Sequence, residues 1–215
     1  MKLIAAAVLS AMALFPATAA AQTSCDELGG AVEPAGTCHV DGEGPNYQID
    51  LAFPTDYVDE PALAGYVTQQ RHDFLDWVAK FGRPSFAELN MGFDDYQSTN
   101  TRGVVLTIGR DTGVHPFSTF TTFTYDVTRR APVTIDTLFK PGSQPLSVLN
   151  AIVAPEFEKH DAKVPADELT LNDYRSFALT DDSVLFFFDQ DWPMDHASGP
   201  LTVTVPRTAL ASILA

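Results

Sequence analysis

Apolar and polar positions along the chain fall into two periods. Tyr47, Ile49, Leu51 and Phe53 alternate with polar or small residues, and Pro54 follows, which predicts a half-buried strand ended by proline. Asp59-Glu60-Pro61 then opens a helix, with acids and proline in its first turn. Leu63, Val67, Phe74, Val78 and Phe81 recur at helical spacing on its apolar face, and Gly82-Arg83-Pro84 is its stop signal. Period two returns in Ala87, Leu89, Met91 and Phe93, in Val104, Leu106 and Ile108, and along Phe117 to Val127. No helix-length segment separates these three strands, so they are expected to pair antiparallel as a meander.

Asp136-Thr137-Leu138-Phe139 reads as a turn or short helical cap. A second helix is predicted from Pro145 to Lys159, presenting Leu146, Leu149, Ile152, Val153 and Phe157, with a kink at Pro155. Phe177-Ala178-Leu179 and Val184–Phe188 flank the polar Thr180-Asp181-Asp182-Ser183 as a hairpin, the second run apolar on both faces. A loop from Asp189 to Pro200 leads to a strand over Leu201–Val205, and Pro206 begins a short terminal helix. The expected architecture is α+β: antiparallel sheets with two main helices packed on them, with a subdomain seam near Val127–Pro132. That places one unit at 22–128 and another at 129–215, together one compact body.

Residues 1–21 change the picture of where this body goes. Met1-Lys2, the apolar run Leu3–Phe15 and the small residues Ala19-Ala20-Ala21 make a secretory signal peptide cleaved before Gln22. The apolar run is too short to span a bilayer and no later stretch matches it, so a secreted or envelope-associated chain is expected. Export through an oxidising compartment makes Cys25 and Cys38, the two cysteines of the chain, natural partners. Closing a loop of about 14 residues stabilises by about 3 kcal/mol in the chain-entropy account.

The 215 residues carry 13 Lys and Arg against 28 Asp and Glu, a net charge of −15, and loss of Lys2 with the leader makes it one unit more negative. Nucleic acid is thereby excluded as a natural partner, because phosphate backbones are held by basic stripes. A cationic partner is favoured.

Candidate chemistry is sparse. Neither G-x-S-x-G nor S-x-x-K occurs, which leaves His115 with Ser118 and His196 with Ser198 as serine–histidine candidates against a plain reading as loop residues. A cysteine nucleophile is disfavoured by the expected bridge. His39, His72, His115, His160 and His196 show no zinc spacing, and no metal or cofactor is expected. Asp189, Asp191 and Asp195 start a calcium-loop spacing that Pro193, Met194 and Pro200 break. Phe117, Phe120, Phe123 and Phe186–Phe188 read first as core. Trp192, in a Pro- and Asp-containing loop, is a candidate interface anchor.

Tyr47-Gln48-Ile49-Asp50-Leu51, Gly113-Val114-His115-Pro116, Thr121-Thr122-Phe123-Thr124-Tyr125-Asp126, Phe177-Ala178-Leu179-Thr180, Gly199-Pro200 and Val205-Pro206-Arg207, with Cys25-Asp26-Glu27-Leu28, together resemble the secreted mycobacterial immunogenic protein family. The region from about Gly103 onward more distantly resembles the extracellular domain of the anti-sigma factor RsiV and a domain found beside peptidoglycan deacetylases. The resemblance implies a secreted, monomeric α+β interaction protein and antigen with no agreed enzymatic mechanism. Its RsiV-like side implies a lysozyme-like cationic protein as partner, met through His115, Trp192, Asp195 and His196. Two loops depart from the distant pattern: Asp111-Thr112-Gly113 has one glycine before His115-Pro116, and Asp191-Trp192-Pro193-Met194-Asp195-His196 replaces a stretch containing tyrosine and glutamate. The alternative expectation is a weak envelope esterase using a serine and one of the five histidines.

Overall fold

The computed structural model describes residues 24–81, 86–113 and 115–215. The leader 1–21 and the helix stop at 82–84 lie outside them.

Among the described residues, ten strands form two sheets. A seven-stranded sheet runs in the order β1 (Ala31–Val32), β2 (Thr37–Gly44), β3 (Tyr47–Pro54), β4 (Ala87–Gln97), β5 (Thr101–Asp111), β6 (Phe117–Asp126) and β7 (Ala131–Pro132). The second sheet has the order β10 (Leu201–Pro206), β9 (Ser183–Phe188), β8 (Phe177–Leu179). Two long helices accompany them, α1 (Glu60–Phe81) and α3 (Pro145–Lys159), the latter continuing through Pro155, with short helical turns α2 (Ile135–Leu138) and α4 (Arg207–Leu210). The α+β class read from periodicity is the fold found.

One pair departs from the antiparallel expectation. β3 and β4 are parallel, Tyr47 opposite Ala87 through Leu51 opposite Met91. α1 joins them, and at 22 residues, roughly 33 Å long, it reaches back over the sheet so that the chain re-enters in the same direction. The meander β4-β5-β6 is antiparallel as the short connections require.

Burial follows the two periods. Ile49, Leu51, Phe53, Leu89, Met91, Val104, Leu106 and Ile108 meet Leu63, Val67, Phe74 and Val78 of α1 in one core. Phe81, the last residue of α1, is the exception on the helical stripe, 54% exposed and set beside the Trp77 ring rather than in the core. A second core joins Leu149, Val153 and Phe157 of α3 to Tyr174, Val184, Phe186, Phe188, Val203 and Val205. Phe187 points from the opposite face of β9 into a third cluster with Val105 and Ala178, against which Tyr96 and Phe120 pack. This is why the Phe triple is apolar on both faces: one side builds its own core and the other docks on the large sheet.

Cys25 and Cys38 are bonded, their Cα atoms 5.8 Å apart, and both are fully buried. The bridge ties a helical turn at 24–27 to β2. Gly30 sits in the same knot, where a Cβ would lie 2.5 Å from the His39 carbonyl oxygen and 2.9 Å from the Cys25 sulfur, so glycine alone fits without displacement.

Candidate functional site

The 189–200 loop is built onto an open sheet edge. Over its first half β6 has no strand on its outer side, and an edge of unpaired amides invites association unless it is capped. Side chains do the capping. Asp189 Oδ1 accepts from the Phe120 N–H at 2.6 Å, and Gln190 both donates its N–H to the Ser118 carbonyl at 3.1 Å and accepts the Ser118 N–H on Oε1 at 3.0 Å. Ser176 Oγ donates to the Phe120 carbonyl. Burial pushes the Asp189 carboxyl above the usual carboxylate range, while the Phe120 N–H and the Arg175 guanidinium 3.3 Å away pull it back.

Beyond these anchors the loop is fixed at further points. Met194 is fully buried, Pro193 accepts the Lys163 N–H on its carbonyl at 3.0 Å, and Asp195 caps the turn His196–Ser198 by accepting the Ala197 N–H at 2.9 Å. Asp191 takes a left-handed backbone, φ 73°, and the Trp192–Pro193 peptide is cis. Trp192 is 51% exposed, yet its indole N–H is held at 3.0 Å by Asp173 Oδ1. Asp173 also accepts the N–H and hydroxyl of Thr170, both at 2.7 Å.

Partial burial alone raises the Asp173 carboxyl, but the donors from Thr170 and Trp192 outweigh it and hold the group below its ordinary range. A depressed carboxyl adds stability above its unfolded value, and that increment disappears as pH falls through the lowered one. Trp192→Phe removes one donor and is expected to move the Asp173 midpoint upward in a carboxyl-carbon NMR titration. An unmoved midpoint would show that the indole does not hold the carboxylate.

His196 faces Asp191, Nδ1 to Oδ1 2.9 Å, and Gln190 Nε2 donates to the His196 carbonyl at 2.9 Å. His115, from the connection between β5 and β6, sets its ring edge-on to that of His196 with centroids 5.4 Å apart. Of the four sequence candidates, His115 and His196 are in contact at the rim of this loop, which also carries Trp192 and Asp195. The partners Gln190 and Asp173 carried no such sequence flag, and Asp191 stood out only in the broken calcium-loop spacing. Only the capping-box spacing Thr170-x-x-Asp173 offered a signal for the last.

An Asp–His hydrogen bond fixes a ring and its tautomer, as in a hydrolytic triad. The hydroxyl that would complete one is not in place: among the described residues neither Ser118 nor Ser198 hydrogen-bonds a histidine ring. The three loop carboxylates are also committed elsewhere, Asp189 to Phe120 and Arg175, Asp191 to His196, and Asp195 to Ala197. No group of three metal-ligating side chains occurs among the described residues. A cavity of about 760 Å³ lies between α3 and residues 161–167, and a smaller one beside Tyr66; neither is lined by His115 or His196. No helix of the described residues is long and apolar enough to cross a membrane.

Residues 136–208 match a family described as protein of unknown function, DUF3298. A Mycobacterium tuberculosis protein named Esterase Rv3036c is 38% identical over 97% of this chain and 96% of its own length. Immunogenic protein MPB64 of Mycobacterium bovis and Immunogenic protein MPT64 of M. tuberculosis are each 36% identical, over 93% of this chain and 91% of theirs. A solved DUF3298 family protein from Pseudomonas aeruginosa PAO1 superposes with TM-score 0.58 at 14% identity, covering 86% of this chain and 96% of that one. Another from Bacteroides fragilis gives 0.56 at 13%, covering 86% and 94%. At those identities the likeness is one of fold.

Proposed function

This chain belongs to the family of the mycobacterial immunogenic proteins MPB64 and MPT64 and of Esterase Rv3036c, and from that premise we propose that it is an exported interaction protein engaging a cationic protein partner through the rim of His115, Trp192, Asp195 and His196. The observation that carries the reading is Trp192: a large aromatic ring half in solvent, held in one orientation by Asp173 on a loop pinned at both ends. Such preorganised aromatic anchors are the usual centres of binding energy. Asp191 and Asp195 flank it, and a chain at −15 steers positively charged proteins toward that rim. The bonded Cys25–Cys38 pair supports passage through an oxidising compartment. In this reading the exported chain is a monomer whose second unit, 129–215, supplies most of the rim.

The RsiV-like resemblance makes a c-type lysozyme the first cationic probe. Calorimetric titration at low salt is expected to give micromolar binding that weakens with added salt, and Trp192→Ala is expected to weaken it at least ~10-fold. No heat at high micromolar lysozyme would remove lysozyme as the partner.

A second reading draws on the Asp191–His196 bond and the 38% identity to a protein named esterase. There His196 is a general base for a serine or water attacking a short-chain ester, with Asp191 fixing its tautomer. That reading requires a turnover that depends on His196.

A further inference from the structure

A polar cavity of about 360 Å³ opens along β6, lined by Thr119–Thr122, by Tyr66 of α1, and by Arg175, Ser176 and Asp189. All of β6 but Thr124 stays only partly buried, so the strand keeps an accessible face after both helices and both sheets have packed. The chemistry gathered there is of three kinds. The Tyr66 hydroxyl shares a 2.7 Å hydrogen bond with Thr121 Oγ1, and Thr119 and Thr122 add further hydroxyls. A planar carboxylate and a planar guanidinium stand side by side, Arg175 Nη2 3.3 Å from Asp189 Oδ2, the acid largely buried and the base half exposed. Tyr66 supplies aromatic carbon, its ring braced edge-on against Phe123, while the Phe120 ring turns to the other face of β6 against Phe187.

These groups exclude some ligands and fit another. The ion pair cancels its own charge, Arg110 acts on Tyr66 from outside the lining and is held by Gln70, and a chain at −15 repels anions, so a phosphate or carboxylate is disfavoured here. An apolar ligand would strip water from the Arg175–Asp189 pair and from the hydroxyls' remaining donor and acceptor capacity, which is costly. What matches is a neutral molecule whose many hydroxyls each donate and accept, fork onto a carboxylate or guanidinium, and alternate with C–H faces that lie against aromatic carbon. Planar bidentate groups and rings are used together for that purpose. The volume lies at the small end of the usual range for ligand pockets.

We propose that the juxtaposition of the Arg175–Asp189 pair with the Tyr66 ring and the Tyr66–Thr121 hydroxyls forms a binding site for a neutral saccharide, holding the terminal sugar rings of a glycan chain. The site does not use Trp192, His115 or His196. Arg175, Ser176 and Asp189 also border the space beneath Trp192, so the two surfaces are told apart at Tyr66 on one side and at the His115–His196 contact on the other.

The test is amide NMR on the full disulfide-bonded chain, titrated with maltotriose and with N,N′,N″-triacetylchitotriose, and with inorganic phosphate and glucuronic acid as charged comparators. Saturable shifts with at least one neutral sugar are expected at Thr119–Thr122, Arg175, Ser176 and Asp189, with millimolar affinity. Tyr66→Phe and Arg175→Leu are each expected to weaken it about tenfold, while Phe81→Ala, on an exposed ring at the end of α1, leaves it unchanged. Tyr66→Phe keeps the ring against Phe123 and so tests the hydroxyl in a folded protein. Absence of shifts with both sugars to about 20 mM, shifts confined to other surfaces, affinity untouched by both pocket variants, or tighter saturation of the same amides by phosphate or glucuronate would each overturn the proposal.

Discussion

Phe186→Ala is expected to destabilise the protein by about 3–5 kcal/mol, the range for deleting a fully enclosed phenyl ring from a core that collapses only partly around the gap. Phe186 has no exposed surface, and its ring lies 5.3 Å from that of Tyr174 and 6.4 Å from that of Phe177. Tyr174 cannot swing freely into the space because its hydroxyl is tied at 2.9 Å to Asn150 on α3. Urea unfolding is the measurement, with the midpoint falling at nearly constant slope. Phe81→Ala is the matched control. That ring is more than half exposed, and its loss is expected to shift stability by less than about 0.5 kcal/mol. Equal effects at the two positions would mean that the α3 core is not organised around β9.

Joint replacement of Cys25 and Cys38 by alanine is expected to lower stability by about 3 kcal/mol, chiefly by freeing a 13-residue separation in the unfolded chain. Both sulfurs are buried against Leu28 and Val40, so the loss includes packing as well as closure entropy. Reduction of the unmodified protein in denaturant, followed by the same urea titration, checks the result without mutation. A midpoint unchanged by either route would show that the knot of Gly30, Cys25 and β2 contributes nothing to the folded chain.

Legibility from sequence varied with the physical origin of each feature. β3, β4, α1 and α3 were readable because one face of each is buried, which leaves a period of two or 3.6 in the residues themselves, and β5 and β6 because β-branched and aromatic residues dominate them. β2 left no such trace: His39, Asp41, Gly42 and Gly44 break the alternation, and only its register with β3, Cys38 opposite Phe53 and Val40 opposite Leu51, makes it a strand. The parallel pairing of β3 with β4 was hidden for a similar reason, since periodicity records which face is buried and not which way a neighbour runs. Phe81 was misplaced because helical spacing cannot show where the cover ends.

At the rim, each histidine could be singled out alone, but their contact joins residues 115 and 196 through the capping of β6. Asp191 and Asp173 act through loop geometry, and a polar residue in a loop carries no period to betray its partner. The charge was legible at once, and it is what motivates the proposal of a cationic partner.

The central claim is that this rim touches another molecule without transforming it, and steady-state hydrolysis of p-nitrophenyl acetate by the disulfide-bonded protein tests it most directly. The expected result is a rate equal to that of the heat-denatured sample and the same for His196→Ala and Asp191→Asn. Saturable turnover that is lost in His196→Ala while the variant keeps its fold would contradict the claim and establish the Asp191–His196 pair as catalytic machinery.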